Sequence, residues 1–204
     1  MKISFDRGTG NSFAVAVRKN VDRYFKENNL SKRANGSMIF KTVFLLTLLA
    51  GFWGLIVFTP FSLWLKLVLA ISLGVTQALI GFNVCHDAIH GSYSNNKTIN
   101  NVLSKVFNVI GANAYVWKVS HNVVHHTFTN IPGHDSDLDV APNLVKLSDT
   151  TPWRKVMRFQ HIYAFVLYAL TSLHWVFIKD YKKFFESKIA STENQNHPSV
   201  EYFN

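Results

Sequence analysis

The sequence predicts an all-α integral membrane protein: a transmembrane helical hairpin, with cytosolic or interfacial helices that carry clustered histidines. Three observations predict it. Between Thr42 and Cys85 the only charged residue is Lys66, far too few for the surface of a soluble domain. Apolar residues recur at helical spacing on both sides of that stretch. Five of the nine histidines fall between residues 86 and 126, two of the pairs being four apart. The expected organisation is a cytosolic N-terminal segment over residues 1–37, followed by one membrane domain over residues 38–204.

The formal net charge of +9 would suit nucleic acid, but the Lys and Arg lie along the flanks of apolar runs. That distribution fits anionic lipid headgroups and the positive-inside rule. No basic face with interleaved aromatics stands out, so nucleic acid is not an expected partner. The lone cysteine, Cys85, excludes an internal disulfide. It adjoins His86 and competes as a metal ligand, although neighbouring helical residues point about 100° apart and a small interior residue is the plainer reading. The N-terminus does not resemble a signal peptide, because the first long apolar run starts only near Met38.

Phe13, Val17, Val21 and Tyr24 form a helical stripe over residues 11–28, backed by Arg18, Lys19, Arg23 and Lys26. This is a basic amphipathic helix, placed either on the membrane surface or against the cytosolic part of the protein. Residues 28–37, with Gly36, break it. Met38 to Thr59 would span about 33 Å, enough for a bilayer core, with Lys41 snorkelling at its start. A turn at residues 59–62 leads into a second apolar run, Phe61 to Val84. A soluble hairpin buried in a globular core is the competing reading. Nine of the 21 Lys and Arg precede Thr42, so the N-terminus should be cytosolic, the turn outside, and His86 and His90 back on the cytosolic side.

Residues 91–96 end the helix that carries the first histidine pair. Val102, Leu103, Val106, Phe107, Val109 and Ile110 then alternate with polar residues at helical period, as in a helix lying in the interface. Its expected role is to bring residues 117–126 back over the first pair. Phe159 to Ile178 is a third uncharged run with basic residues at both ends, which leaves its orientation open. From Ser187 the chain is polar.

Residues four apart share a helix face, so His86 with His90, and His121 with His125, can each direct two imidazoles at one metal, and His126 extends the second pair. Imidazole suits iron, copper, zinc and nickel, and no cysteine pair offers a thiolate site. The loop after the second cluster carries Asp135, Asp137 and Asp139. A carboxylate there would accept the outer N–H of a ligating imidazole and fix its tautomer. Calcium ligation competes, but the glycine and terminal glutamate of a calcium loop are missing, and a plain solvated loop is the third reading. His161 and His174 fall inside the third apolar run, where hydrogen-bonded interior or interface histidines are ordinary.

These residues carry a family resemblance. His86-Asp87-Ala88-Ile89-His90-Gly91-Ser92 resembles the first histidine box of the integral-membrane fatty acid desaturases, and residues Trp117 to Asn130 are similar to the second. Gly133 to Asp139 and Gln160-His161-Ile162-Tyr163 resemble the acyl-lipid, linoleoyl-CoA and front-end branch. The resemblance runs from about Lys41 to Phe185, and makes residues 38–204 a fatty acid desaturase domain. It implies two iron ions held by His86, His90, His121, His125 and His126, with His134 and His161 as weaker candidates for ligation or support. It also implies O2 as co-substrate, a cytochrome b5 or ferredoxin type electron donor, and a fatty acyl-CoA or acyl-lipid substrate that gains a double bond. Breaking an unactivated C–H bond needs a strong oxidant, which such a metal pair supplies.

One departure stands out. The family has a third box of His or Gln followed by His-His, whereas His134, His161, His174 and His197 all stand alone. The expectation is therefore an N-terminal part of a longer enzyme, inactive as 204 residues alone. Two alternatives remain: a membrane di-iron hydroxylase of the same histidine-box class, and a non-enzymatic membrane metal-binding or transport protein. Transport would call for polar residues at mid-membrane depth, and the apolar runs are nearly bare of them.

Overall fold

The computed structural model describes residues 11–135, 138, 144–189 and 192–194. Helix α1, Asn11–Glu27, keeps its whole apolar stripe of Phe13, Val17, Val21 and Tyr24 exposed. Of the two partners the stripe allows, a protein surface is therefore not the one it meets among the described residues. Lys32 pairs with Asp22 and lies 5.8 Å over the ring of Phe25, which fixes the linker against the end of α1.

Helix α2, Gly36–Phe58, and helix α3, Leu63–Ile89, form the hairpin. Asn35 and Ser62 cap their N-termini by accepting the Met38 and Leu65 backbone N–H groups, which sets the starts near but not at Met38 and Phe61. Leu45 packs with Ile80, Val84 and Cys85 between the two helices. The outward side chains Phe40, Phe58, Leu63, Trp64 and Phe82 are 71–85% exposed. A buried soluble hairpin would cover those side chains; left bare along two helices of spanning length, they face lipid.

Polar ties hold the start of α2 level with the end of α3. Lys41 Nζ, expected to snorkel, donates instead to Asn83 Oδ1 at 2.8 Å, and the Thr42 and Tyr93 hydroxyls share a buried hydrogen bond of 2.8 Å. Arg33 donates to Asn95 Oδ1 at 2.9 Å and to the Gly91 carbonyl at 2.8 Å. Gly91 ends α3 with a φ of +67°.

Helix α4, Lys97–Val109, is capped by Asn96. It buries Phe107, with Leu103 and Ile110 beside it, against the end of α3, while Ile99, Val102 and Val109 stay exposed. Helix α5, residues 114–128, starts at Asn113, whose side chain accepts the Val116 N–H at 2.9 Å. Helix α6, Lys155–Phe185, is the third helix long and apolar enough to span. Near its end the buried Asp180 carboxylate accepts the Asn113 N–H at 2.7 Å. Asn194 donates to the carbonyls of Lys183, Phe184 and Glu186 and accepts from the Tyr115 hydroxyl at 2.9 Å. Among the described residues the only strands are β1, Lys188–Ile189, and β2, Thr192–Glu193, a two-residue antiparallel ribbon that the all-α expectation did not include.

Helix α6 crosses the α4–α5 connection at Gly111, which has φ +95° and would place a Cβ 2.8 Å from Val176 Cγ2. Gly111→Ala is expected to destabilise the protein by about 1–3 kcal/mol, from the strained backbone and the displaced Val176 together. Gly51→Ala, with no neighbour within 4 Å, should leave stability unchanged or raise it. Thermal unfolding in detergent checks both; equal midpoints would show that this crossing is not tight.

Candidate metal centre

His86 and His90 occupy the last turn of α3, one helical turn apart, with ring centroids at 4.6 Å. A π turn over Gly81–Cys85 precedes them, closed by the His86 N–H bonding to the Gly81 carbonyl. Cys85 itself points into the core between α2 and α3 and is fully buried, so it stands apart from the histidines.

Helix α5 lays the second cluster over the first. Its middle, Lys118–His125, is π-helical, and the His126 N–H bonds to the His121 carbonyl five residues back. His121 then has His125 at 5.1 Å on one side and His126 at 4.9 Å on the other. Across the interface His121 lies 5.4 Å from His86 and 5.6 Å from His90, and His126 lies 4.9 Å from His90. One nitrogen each of His86, His90 and His121 falls within 4.8 Å of the others, close enough to meet at one ion. All five sequence-selected histidines are brought together.

Three contacts fix this arrangement. Asn122 donates to the Ile89 carbonyl at 2.9 Å, joining α5 to the final turn of α3. Trp117 lies tilted against His121 at 4.0 Å, meets His86 edge-on at 5.7 Å, and stacks on Phe107 at 5.0 Å. Asp135, 1% exposed, places both carboxylate oxygens 3.0 Å from His125 Nδ1 and accepts the Asn130 N–H at 2.8 Å. A carboxylate only accepts, so Nδ1 carries the proton and Nε2 keeps its lone pair for the cluster. The carboxylate expected from the acidic loop is thus Asp135; Asp137 and Asp139, like His197, lie outside the described residues.

His134 packs on Phe128 at 5.5 Å, and its Nδ1 is buried without a hydrogen-bond partner among the described residues. His161 is exposed on α6, and neither it nor His134 makes a ring contact with the five. The neighbours of His161 are structural instead: Gln160 accepts the Lys146 N–H at 2.9 Å and Tyr163 donates to the Leu144 carbonyl. Trp117 and Asn122 were not singled out from the sequence. For Trp117 a signal existed, since it stands four residues before His121, as His121 does before His125.

Desolvation of its ring, then the imidazoles of His86, His126 and His121, push His90 from 6.5 down to about 4, against the pull of Asp87. The ring stays neutral at physiological pH, as ligation requires. Unfolded, His90 takes its proton near 6.5; folded, near 4. In that window the unfolded chain binds more protons, so His90 makes the metal-free protein lose stability as pH falls from 6.5 to about 4. Unfolding midpoints recorded with chelator present should fall across this range, and fall less steeply in His90→Gln; the same slope in both proteins would count against this reading.

Comparisons with known proteins find a matching family and several relatives. The family described as fatty acid desaturase matches residues 62–198. The chain is 35% identical over 174 residues to an sn-1 linoleoyl-lipid 6-desaturase of Arthrospira platensis, covering 85% of this chain and 46% of that protein. A protein of the same name from Synechocystis is 34% identical, with 85% and 48% covered. An acyl-lipid (8-3)-desaturase of Physcomitrium patens is 30% identical over 179 residues, covering 87% of this chain and 37% of that protein. The chain thus spans about half the length, or less, of these relatives. No solved structure matches it.

Proposed function

The chain belongs to the fatty acid desaturase family, and from that premise we propose that it serves the O2-dependent introduction of a double bond into a fatty acyl chain. The observation that carries the proposal is the meeting of five imidazoles from two helices at the end of a membrane hairpin, with one ring held in a ligating tautomer by a buried carboxylate. His86, His90, His121, His125 and His126 are the proposed ligands of two iron ions. The donor set fits: all are imidazole nitrogens, the Asp135 carboxylate orients His125, and His90 is neutral. Bound iron supplies the oxidising power that no side chain here possesses.

In the overall change, two hydrogens leave adjacent carbons of the acyl chain with their electrons. Two further electrons and two protons complete the reduction of O2 to two waters, the electrons coming from a donor of cytochrome b5 or ferredoxin type. The chain's own contribution is positioning. Trp117 and Phe107 close the side of the cluster toward the core, and the hairpin keeps the site beside acyl chains in the bilayer. The relatives' names point to acyl chains carried on lipids, and we take that substrate class, with acyl-CoA as the other source. Residues 1–37 act as the cytosolic segment and residues 38–204 as desaturase domain. The positive-inside rule puts the N-terminus and the histidine cluster together in the cytosol.

Iron bound by the purified chain tests the reading directly. His121→Ala should lose it almost completely, and Asp135→Asn should weaken it by about 10–100-fold. Asp87→Asn, whose carboxylate stands 3.6 Å from His86 Nδ1 at a half-exposed position, should have a smaller effect. Unchanged iron in His121→Ala would sink the assignment. Acyl chains from cells with and without the protein separate the products: loss of two hydrogens marks desaturation, and gain of one oxygen marks the hydroxylase. Cells indifferent to His125→Ala would favour a non-enzymatic role.

A further inference from the structure

A second site lies against the same helices, on a side the metal centre does not use. A cavity of about 280 Å³ opens between the end of α3, helix α4 and the start of α5. Lys97 and Lys105 from α4 and Lys118 from α5 line it, with Asn101 and Asn108. Residues 97, 101, 105 and 108 fall on one face of α4. Asn108 spends its carbonyl oxygen on the Ala114 N–H at 2.8 Å, which leaves its amide NH2 as the group available to a ligand.

No Asp or Glu is among the described residues that line the cavity. Between Asp87 and Asp135 the sequence has no Asp or Glu, and among the described residues none of the three lysines is in an ion pair. Three lysines lining one cavity give it a positive field, and a ligand carrying phosphate suits that field and accepts their hydrogen bonds. The placement says which phosphate. The exposed stripe of Ile99, Val102 and Val109 on α4 suits the bilayer interface, which puts the cavity at headgroup depth. Ile89, which stands between His86 and His90, lines the cavity, and Lys118 precedes His121 by three residues.

We propose that this cavity binds the phosphate of the acyl substrate's headgroup, so that the attached chain starts beside the histidine cluster. That the ligand is the substrate rests on the desaturase reading above; that the cavity takes a lipid phosphate does not. Phospholipid and acyl-CoA both carry such a phosphate, and a galactosyl lipid does not.

The test is equilibrium binding to the full chain in neutral maltoside detergent, using 1-oleoyl lysophosphatidic acid, oleoyl-CoA and 1-oleoyl monogalactosylglycerol. Lys105→Gln and Lys118→Gln should each weaken the phosphate-bearing ligands by about tenfold or more, and leave the galactosyl lipid unchanged. Lys105→Arg should retain most of the affinity, and Lys66→Gln, at the far end of α3, all of it. A response confined to lysophosphatidic acid identifies a phospholipid headgroup, one confined to oleoyl-CoA the thioester; either supports the site. Equal losses for all three ligands, or none, would overturn it. On the unaltered protein, inorganic pyrophosphate should compete with the phosphate-bearing ligands only, and failure to compete overturns the site even if the glutamine variants do not fold. Iron measured in the same samples separates the two readings: wild-type protein that takes no iron but binds phosphate through these lysines refutes the metal centre alone.

Discussion

The centre depends on the hydrogen-bond register of residues 118–125. An α turn puts His125 under His121 and swings His126 about 100° away, so that only two of the three rings face the first pair. The π register closes on the fifth residue instead, and the point above His121 falls between the two. His125 and His126 therefore flank it at 5.1 and 4.9 Å. The same device recurs at Gly81–Cys85, directly before His86, and at Trp175–Lys179, directly before Asp180. Each widened turn ends at one of the clustered histidines or at Asp180, and each re-aims that side chain without breaking the helix that carries it.

A widened register is useful only if α5 is held in place, and the holding is spread over several anchors. Asp180 and the Asn113 side chain satisfy N–H groups at the start of α5, Asn194 secures Tyr115, and Asn122 reaches Ile89 beside the rings. Each such bond contributes about 1 kcal/mol net. Together with the burial of Val116, Ser120 and Val124, they distribute the cost of keeping five like donors close. This explains why α6 matters to a site to which it gives no proposed ligand. Its C-terminal turns supply Asp180 and carry the carbonyls that Asn194 caps.

The sequence made the hairpin legible because lipid leaves a strong signature: long runs with one charge, bounded by polar turns. The five histidines were legible because four-residue spacing is a local property. Less local features were hidden. The i, i+4 pattern looks alike in α and π registers, so the reason His126 joins the cluster could not be seen. Asp135 was indistinguishable from Asp137 and Asp139 until the turn at Asn130, with φ +62°, brought its carboxylate under His125. Helix α1 keeps an amphipathic pattern that names no partner, and only its exposure shows that the described residues do not cover its stripe.

The distribution of charge between α3 and α5 follows from the same economy of carboxylates. Asp87 and Asp135 bracket 47 residues without an acid, and Asp135 is buried with both oxygens engaged by His125 and the Asn130 N–H. A free carboxylate on this face would compete for metal with the imidazoles and would neutralise the lysines of α4 and α5. Its absence leaves the lysines of α4 and α5 with no acidic residue in the sequence between Asp87 and Asp135. Lys41 on Asn83 and Arg33 on Gly91 hold the N-terminal end of α2 level with that layer. The histidine cluster and the lysine-lined cavity accordingly lie at one end of the hairpin. Residues lining that cavity thus stand within one helical turn of those that carry the clustered imidazoles, Lys118 three positions before His121 and Ile89 beside His90.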